Sequence, residues 1–156
     1  MQILFVCTGN TCRSPLATAI ARRTADERGL TDLVATSAGT SAAEGQPASD
    51  GALLVGIERH LDIAEHRARQ LTRELVEQSD LILAMGPHHL DRVDALGGTG
   101  KAHLLTDYAS HGASHRAVSD PFDGELDVYR TTVDELEAEI ARVIGRVLAE
   151  RARPTP

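Results

Sequence analysis

The chain has 156 residues, a formal net charge of −7 and two cysteines, which points to one domain whose core is large enough to hold without metal or disulfide staples. The acidic balance argues against a general nucleic-acid binder, which leans on Lys and Arg to neutralise phosphates, and no apolar stretch approaches the roughly 20 residues of a membrane span. With two cysteines and an opening Met-Gln-Ile-Leu-Phe-Val that lacks the basic flank of a signal peptide, a cytoplasmic protein using thiol chemistry or plain thiol burial is expected, not a disulfide scaffold.

Residues 2 to 6 form an apolar run too short for a helix and rich in β-formers, so a buried strand is predicted. A helix is predicted from Ser14-Pro15, the hydroxyl at the cap and proline where its missing N–H costs nothing, ending at Gly29. Further strands are predicted at residues 33–36, 80–85 and 102–105, with helical or loop-rich segments between them. That alternation implies an α/β fold with a parallel sheet covered on both faces. Val133, Leu136, Ile140, Val143, Ile144 and Val147 fall on one stripe of a C-terminal helix and read as core. One domain over residues 1–152 is expected, with 153–156 a frayed tail.

Between the first strand and the first helix lies Cys7-Thr8-Gly9-Asn10-Thr11-Cys12-Arg13-Ser14. A loop over a helix N-terminus meets unpaired N–H groups and the positive end of the helix dipole. Glycine and asparagine supply the backbone angles that let successive amides converge. Arg13 adds a planar, permanently charged fork, and this positive field is expected to depress the Cys7 thiol to a thiolate at neutral pH. The pattern is a covalent phosphoryl-transfer site. A buried strand-end cysteine beside an accidental arginine leaves the spacing unexplained, and without Gly-Lys-Ser/Thr a nucleotide-binding Walker loop is excluded.

Cys7 to Pro15 after an N-terminal strand, followed by Ser37-Ala38-Gly39-Thr40, His66-Arg67-Ala68-Arg69, the apolar run 80–85 and Asp120-Pro121-Phe122, resembles the low-molecular-weight protein phosphatase family across essentially the whole chain. The resemblance implies a three-layer fold with a four-stranded parallel sheet in the order 2-1-3-4, flanked by helices, and hydrolysis in two steps with no cofactor and no metal. Cys7 is the implied nucleophile, Arg13 the phosphate clamp and Asp120 the proton donor, with Thr8, Gly9, Asn10, Thr11, Cys12 and Ser14 in the phosphate-binding loop. Ser14 is expected to steady the Cys7 sulfur as well as cap the helix. Asn10, Ser37 and His66 match family positions that brace the loop, and Cys12 matches one that pairs with the nucleophile on oxidation; a small buried filler is the other reading of Cys12. The bland reading of Asp120-Pro121 is an exposed turn. His88-His89 reads as a solvated loop and not as a metal site. The thioredoxin-coupled arsenate reductases, relatives by fold, need two later cysteines, and none follows Cys12.

Tyrosine-specific members of the family carry an apolar Ile or Leu where Thr11 stands and aromatic walls around the pocket. This chain has no Trp, and its aromatic residues are Phe5, Tyr108, Phe122 and Tyr129. Thr11 and Phe122 together resemble the bacterial protein arginine phosphatase branch. Phosphoarginine in proteins is therefore the expected substrate and phosphotyrosine the alternative; a non-catalytic phosphoprotein-binding module fits least, because it needs no nucleophile. Phosphorylated proteins are the implied partners, and a monomer that binds neither nucleic acid nor membrane is expected.

Overall fold

The computed structural model describes residues 1 to 152, so the tail expected at 153–156 lies outside the described residues. Four parallel strands, β1 (Gln2–Cys7), β2 (Val34–Gly39), β3 (Leu81–Ala84) and β4 (Ala102–Leu104), form one sheet in the order β2-β1-β3-β4. Six α-helices among the described residues, α1 (Arg13–Glu27), α2 (Asp50–Glu58), α3 (Arg73–Gln78), α4 (Pro87–Val93), α5 (Leu105–Ala109) and α6 (Leu126–Arg151), cover it, and a π-helical turn at Asp94–Gly98 follows α4.

Alternation along β1 explains the layering, because successive side chains leave a strand on opposite faces. Ile3, Phe5 and Cys7 enter the larger apolar layer, packed with Leu16 and Ile20 of α1 and Leu136, Ile140 and Ile144 of α6. Leu4 and Val6 enter the smaller one, with Val76 of α3 and Val93 of α4. Both faces are covered, which is why the strand reads as a continuous apolar run. The predicted stripe of α6 is buried at all six positions, Val133, Leu136, Ile140, Val143, Ile144 and Val147.

β1, β3 and β4 depart from their expected ranges by one residue at an end or at both, and two further boundaries bear on the site. β2 runs on to Gly39 because it stays in register with β1 up to the pair Cys7↔Gly39. α1 begins at Arg13 with Cys12 at its N-cap and no side-chain capping bond, so Ser14 is not the cap; its hydroxyl is turned inward. Gly29 closes α1 as expected, at φ +74°, with the N–H of Leu30 reaching back to the Ala25 carbonyl at 2.9 Å. No described helix is long and apolar enough to cross a membrane. The carboxyl ends of β1, β2 and β3 meet at one edge, and the loops leaving them carry the site.

Candidate active site

The loop from Cys7 to Arg13 turns on Asn10, which sits at φ 57°, a left-handed conformation that asparagine tolerates better than most residues. The Asn10 side chain is fully buried and uses both ends. Its Oδ1 accepts from the Arg69 N–H at 2.9 Å, and its Nδ2 donates to Ser14 Oγ and to Ser37 Oγ, each at 2.8 Å. The Asn10 carbonyl accepts from His66 Nε2 at 2.6 Å. Asn10, Ser37 and His66 are therefore joined, and Arg69 adds a further tie, with its Nε donating to the Ser37 carbonyl at 2.8 Å. Burial and the neighbouring Arg67, Arg22 and Arg69 hold the His66 imidazole below its ordinary pKa.

Ser14 Oγ accepts from Asn10, so its own hydrogen is free to donate to Cys7 Sγ, 2.8 Å away. The N–H groups of Ser14 and Asn10 also point at this sulfur. Burial pushes the Cys7 thiol up all the same, outweighing the Ser14 hydroxyl, these amides and the Arg13 charge. The expected depression of the thiol is thereby corrected: the sulfur sits at the floor of the pocket, only 3% exposed, where loss of water disfavours the thiolate.

Gly39, at the end of β2, allows the loop to pass. A Cβ there would stand 2.4 Å from the Thr8 carbonyl and 3.0 Å from the Asn10 nitrogen. Over the loop lies the segment 118–122. Its Val118 N–H donates to the Met85 carbonyl at 2.8 Å, and Ser119 Oγ donates to Glu135 of α6 at 2.9 Å. Arg13 is buried, donating through Nη1 to the Val118 carbonyl at 3.0 Å and facing Asp120 Oδ2 across 3.5 Å with Nη2. The other Asp120 oxygen accepts from the Phe122 N–H at 3.1 Å, an Asx turn that fixes the carboxylate at the rim.

A cavity of about 170 Å³ results, lined by Cys7, Thr8, Gly9, Thr11, Cys12, Arg13, Asp120 and Phe122. Sequence positions 113 residues apart thus meet in one pocket, with a nucleophile at its floor, a guanidinium on its wall and an exposed carboxylate at its mouth. Phe122 is 64% exposed and is the one aromatic side chain lining it.

Cys12 is buried but not merely packed. Its sulfur lies 3.2 Å from Ser49 Oγ and 3.5 Å from Tyr129 OH, and these two hydroxyls are 3.1 Å apart. Burial pushes Tyr129 up to about 12, so it stays a neutral phenol. Ser49 and Tyr129 escape sequence reasoning because each looks like an ordinary N-cap or core residue. The reading of His88-His89 as a solvated loop is half right. Both lie on α4 and not in a loop; His88 is exposed, but His89 is fully buried with Nε2 2.7 Å from Thr8 Oγ1, because adjacent residues on a helix point about 100° apart around its axis.

Comparison with known proteins supplies the context for this geometry. Residues 2–153 match the family model of low molecular weight phosphotyrosine protein phosphatase. The protein-arginine-phosphatase of Bacillus subtilis is 39% identical over 155 residues, covering 98% of this chain and all of that one. The low molecular weight protein-tyrosine-phosphatase PtpB of Staphylococcus haemolyticus is 37% identical over 137 residues, 87% of this chain and 92% of its own. Among solved structures, a C7S mutant of YwlE arginine phosphatase with a phosphorylated active site serine superposes with a TM-score of 0.90 at 36% identity, covering 97% of this chain and 98% of that one. The sheet order, the loop between β1 and α1 and a match along nearly the whole chain agree: this chain belongs to the low molecular weight phosphotyrosine protein phosphatase family.

Proposed function

We propose that the protein hydrolyses phosphoarginine residues in proteins through a cysteinyl-phosphate intermediate. The observation that carries the choice of substrate is the pocket wall. Thr11, β-branched and polar, stands on a braced loop, and no aromatic pair is present to sandwich a phenyl ring; the one lining aromatic, Phe122, lies open at the rim. The naming of the Bacillus relative as a protein-arginine-phosphatase supports the same reading.

Each step follows from the residues present. Cys7 gives up its proton, which passes through pocket water to the Asp120 carboxylate, and the Ser14 hydroxyl, the converging amides and the α1 dipole stabilise the sulfur anion. The sulfur attacks phosphorus in line with the departing guanidine nitrogen. An S–P bond forms as the P–N bond breaks, while Arg13 and the loop amides hold the remaining phosphoryl oxygens as charge shifts between them. Asp120, protonated for this step, gives its proton to the leaving nitrogen. In the second step the Asp120 carboxylate takes a proton from water as its oxygen attacks phosphorus, the S–P bond breaks, and inorganic phosphate and the Cys7 thiolate are released. Asp120 at the mouth also offers an acceptor to the guanidinium N–H groups.

Cys12 shares the loop with Cys7, and both are free thiols. On this reading a peroxide-oxidised Cys7 is captured by Cys12 as a disulfide, which preserves the nucleophile in reducible form. The chain would act as a monomer in the cytoplasm on phosphorylated proteins.

The second reading, a tyrosine phosphatase, is favoured by Phe122 at the pocket mouth and by the PtpB relative. Parallel kinetics on phosphoarginine and phosphotyrosine peptides of matched sequence separate the two. A higher specificity constant on phosphoarginine supports the proposal, and the reverse assigns the chain to tyrosine.

A further inference from the structure

His89 lies on α4, outside every motif that points to the phosphate loop, yet it is in hydrogen-bond contact with the residue that follows the nucleophile. Its Nε2 is 2.7 Å from Thr8 Oγ1, and its Nδ1 is the one buried side-chain nitrogen or oxygen among the described residues without a hydrogen-bond partner. An unpartnered atom of this kind calls for an explanation.

The surroundings decide which nitrogen carries the proton. Nδ1 lies beside Gly86, where an added Cβ would stand 3.4 Å from it, with the His88 ring centroid 3.8 Å from that of His89, and no hydrogen-bond acceptor meets it among the described residues. A lone pair left unpaired there is tolerated more readily than a buried N–H whose hydrogen has no acceptor. The proton therefore sits on Nε2 and is donated to Thr8 Oγ1. Burial, His88 and Arg13 hold His89 down to about 4, against the opposite pull of Asp120, so the ring remains neutral in the working range.

A hydroxyl that accepts from His89 keeps its own hydrogen free. Thr8 is exposed and lines the active-site cavity, and the bond to His89 is its hydroxyl's one hydrogen bond among the described residues. With the opposite tautomer, Thr8 would spend its hydrogen on His89 and turn only lone pairs toward an anion. We infer that His89 is a positioning residue whose tautomer makes the Thr8 hydroxyl a donor to the transferring phosphoryl group, adding a side-chain donor to Arg13 and the loop amides. Polarisation by the Nε2–H strengthens that donor. The inference rests on the phosphoryl-transfer reading of the site but not on which amino acid bears the phosphate.

The test joins one spectroscopic and one kinetic measurement on the full chain. Nitrogen-15 NMR of the His89 ring at neutral pH should show the proton on Nε2; a proton on Nδ1 overturns the inference. In kinetics on an aryl phosphate, Thr8→Val should lower kcat by about tenfold or more and weaken vanadate binding in parallel, as loss of a transition-state donor does. His89→Phe should cost a similar factor, and the double variant no more than about twofold beyond either single one. His89→Gln, which keeps a donor near the Nε2 position, should recover most of the activity. Independent, multiplying losses would show that His89 does not act through Thr8, and a Thr8→Val enzyme with unchanged kcat would remove Thr8 from the reaction; either overturns the inference. If His89→Phe does not fold, the NMR signal and Thr8→Val still decide. A wild type that turns over no phosphate ester would instead strike at the phosphatase reading itself.

Discussion

At the scale of single residues, the site is governed by who donates to whom. Asn10 occupies the acceptor side of Ser14, leaving the Ser14 hydrogen for the Cys7 sulfur. Burial already drives the thiol up, and the Ser14 hydroxyl opposes it more than any other group. Ser14→Ala should therefore raise the Cys7 pKa further. Read as the pH dependence of alkylation by iodoacetamide, the midpoint should move to higher pH; a midpoint unmoved or lowered would show that the hydroxyl does not stabilise the thiolate. Asp120 allows a second test at this scale. Half exposed at the rim and opposite Arg13, it is placed to protonate a leaving group. Asp120→Asn should slow a substrate with a poor leaving group by about 10²-fold or more while affecting an activated aryl phosphate far less, since the departing oxygen of the latter hardly needs a proton. Equal losses on both would reassign Asp120 to binding.

At the scale of elements, the loop is held by what lies beneath it. The end of β2 approaches so closely that Gly39 has no room for a side chain, with the Thr8 carbonyl 2.4 Å from where a Cβ would be. Gly39→Ala must push the loop away. The expected result is a loss of about 1 to 3 kcal/mol in stability and a larger loss of activity, measured by denaturant unfolding and by kcat/KM; full activity would mean that the loop tolerates displacement. The same loop carries both cysteines. Peroxide should yield a Cys7-Cys12 disulfide visible by mass spectrometry, with activity restored by dithiol, whereas Cys12→Ser should lose activity irreversibly. Equal recovery in both proteins, with no disulfide-linked peptide, would leave Cys12 with its Ser49 and Tyr129 contacts as a packing residue. Local sequence signals place most elements well, because a short apolar run or an amphipathic stripe reports burial directly. The start of α1 is misplaced by them, since Ser14 has the chemistry of a cap and is drawn inward by tertiary partners that only the folded chain supplies.

At the scale of the whole molecule, parallel topology gathers distant segments at the carboxyl ends of β1, β2 and β3. The candidate nucleophile and clamp are legible in the sequence because their spacing and loop composition carry the chemistry, whereas Asp120 is legible only through the family resemblance. The supports are less so. Arg69 braces Asn10 through its backbone N–H, which any residue could offer, and His89 meets Thr8 across 81 positions, a pairing without a local signature. The rise of the Cys7 thiol was likewise hidden, since burial belongs to the fold and not to the loop's composition. What remains most exposed to test is the choice between two phosphorylated side chains. The deciding measurement is the ratio of kcat/KM on phosphoarginine to that on phosphotyrosine peptides, in wild type and in Thr11→Ile. One polar contact and a small change of shape are worth about 1 to 3 kcal/mol, or roughly 10- to 200-fold. Wild type should favour phosphoarginine, and Thr11→Ile should shift the ratio toward phosphotyrosine by at least about tenfold; a wild type that already prefers phosphotyrosine, or a ratio that the substitution leaves unmoved, would contradict the account.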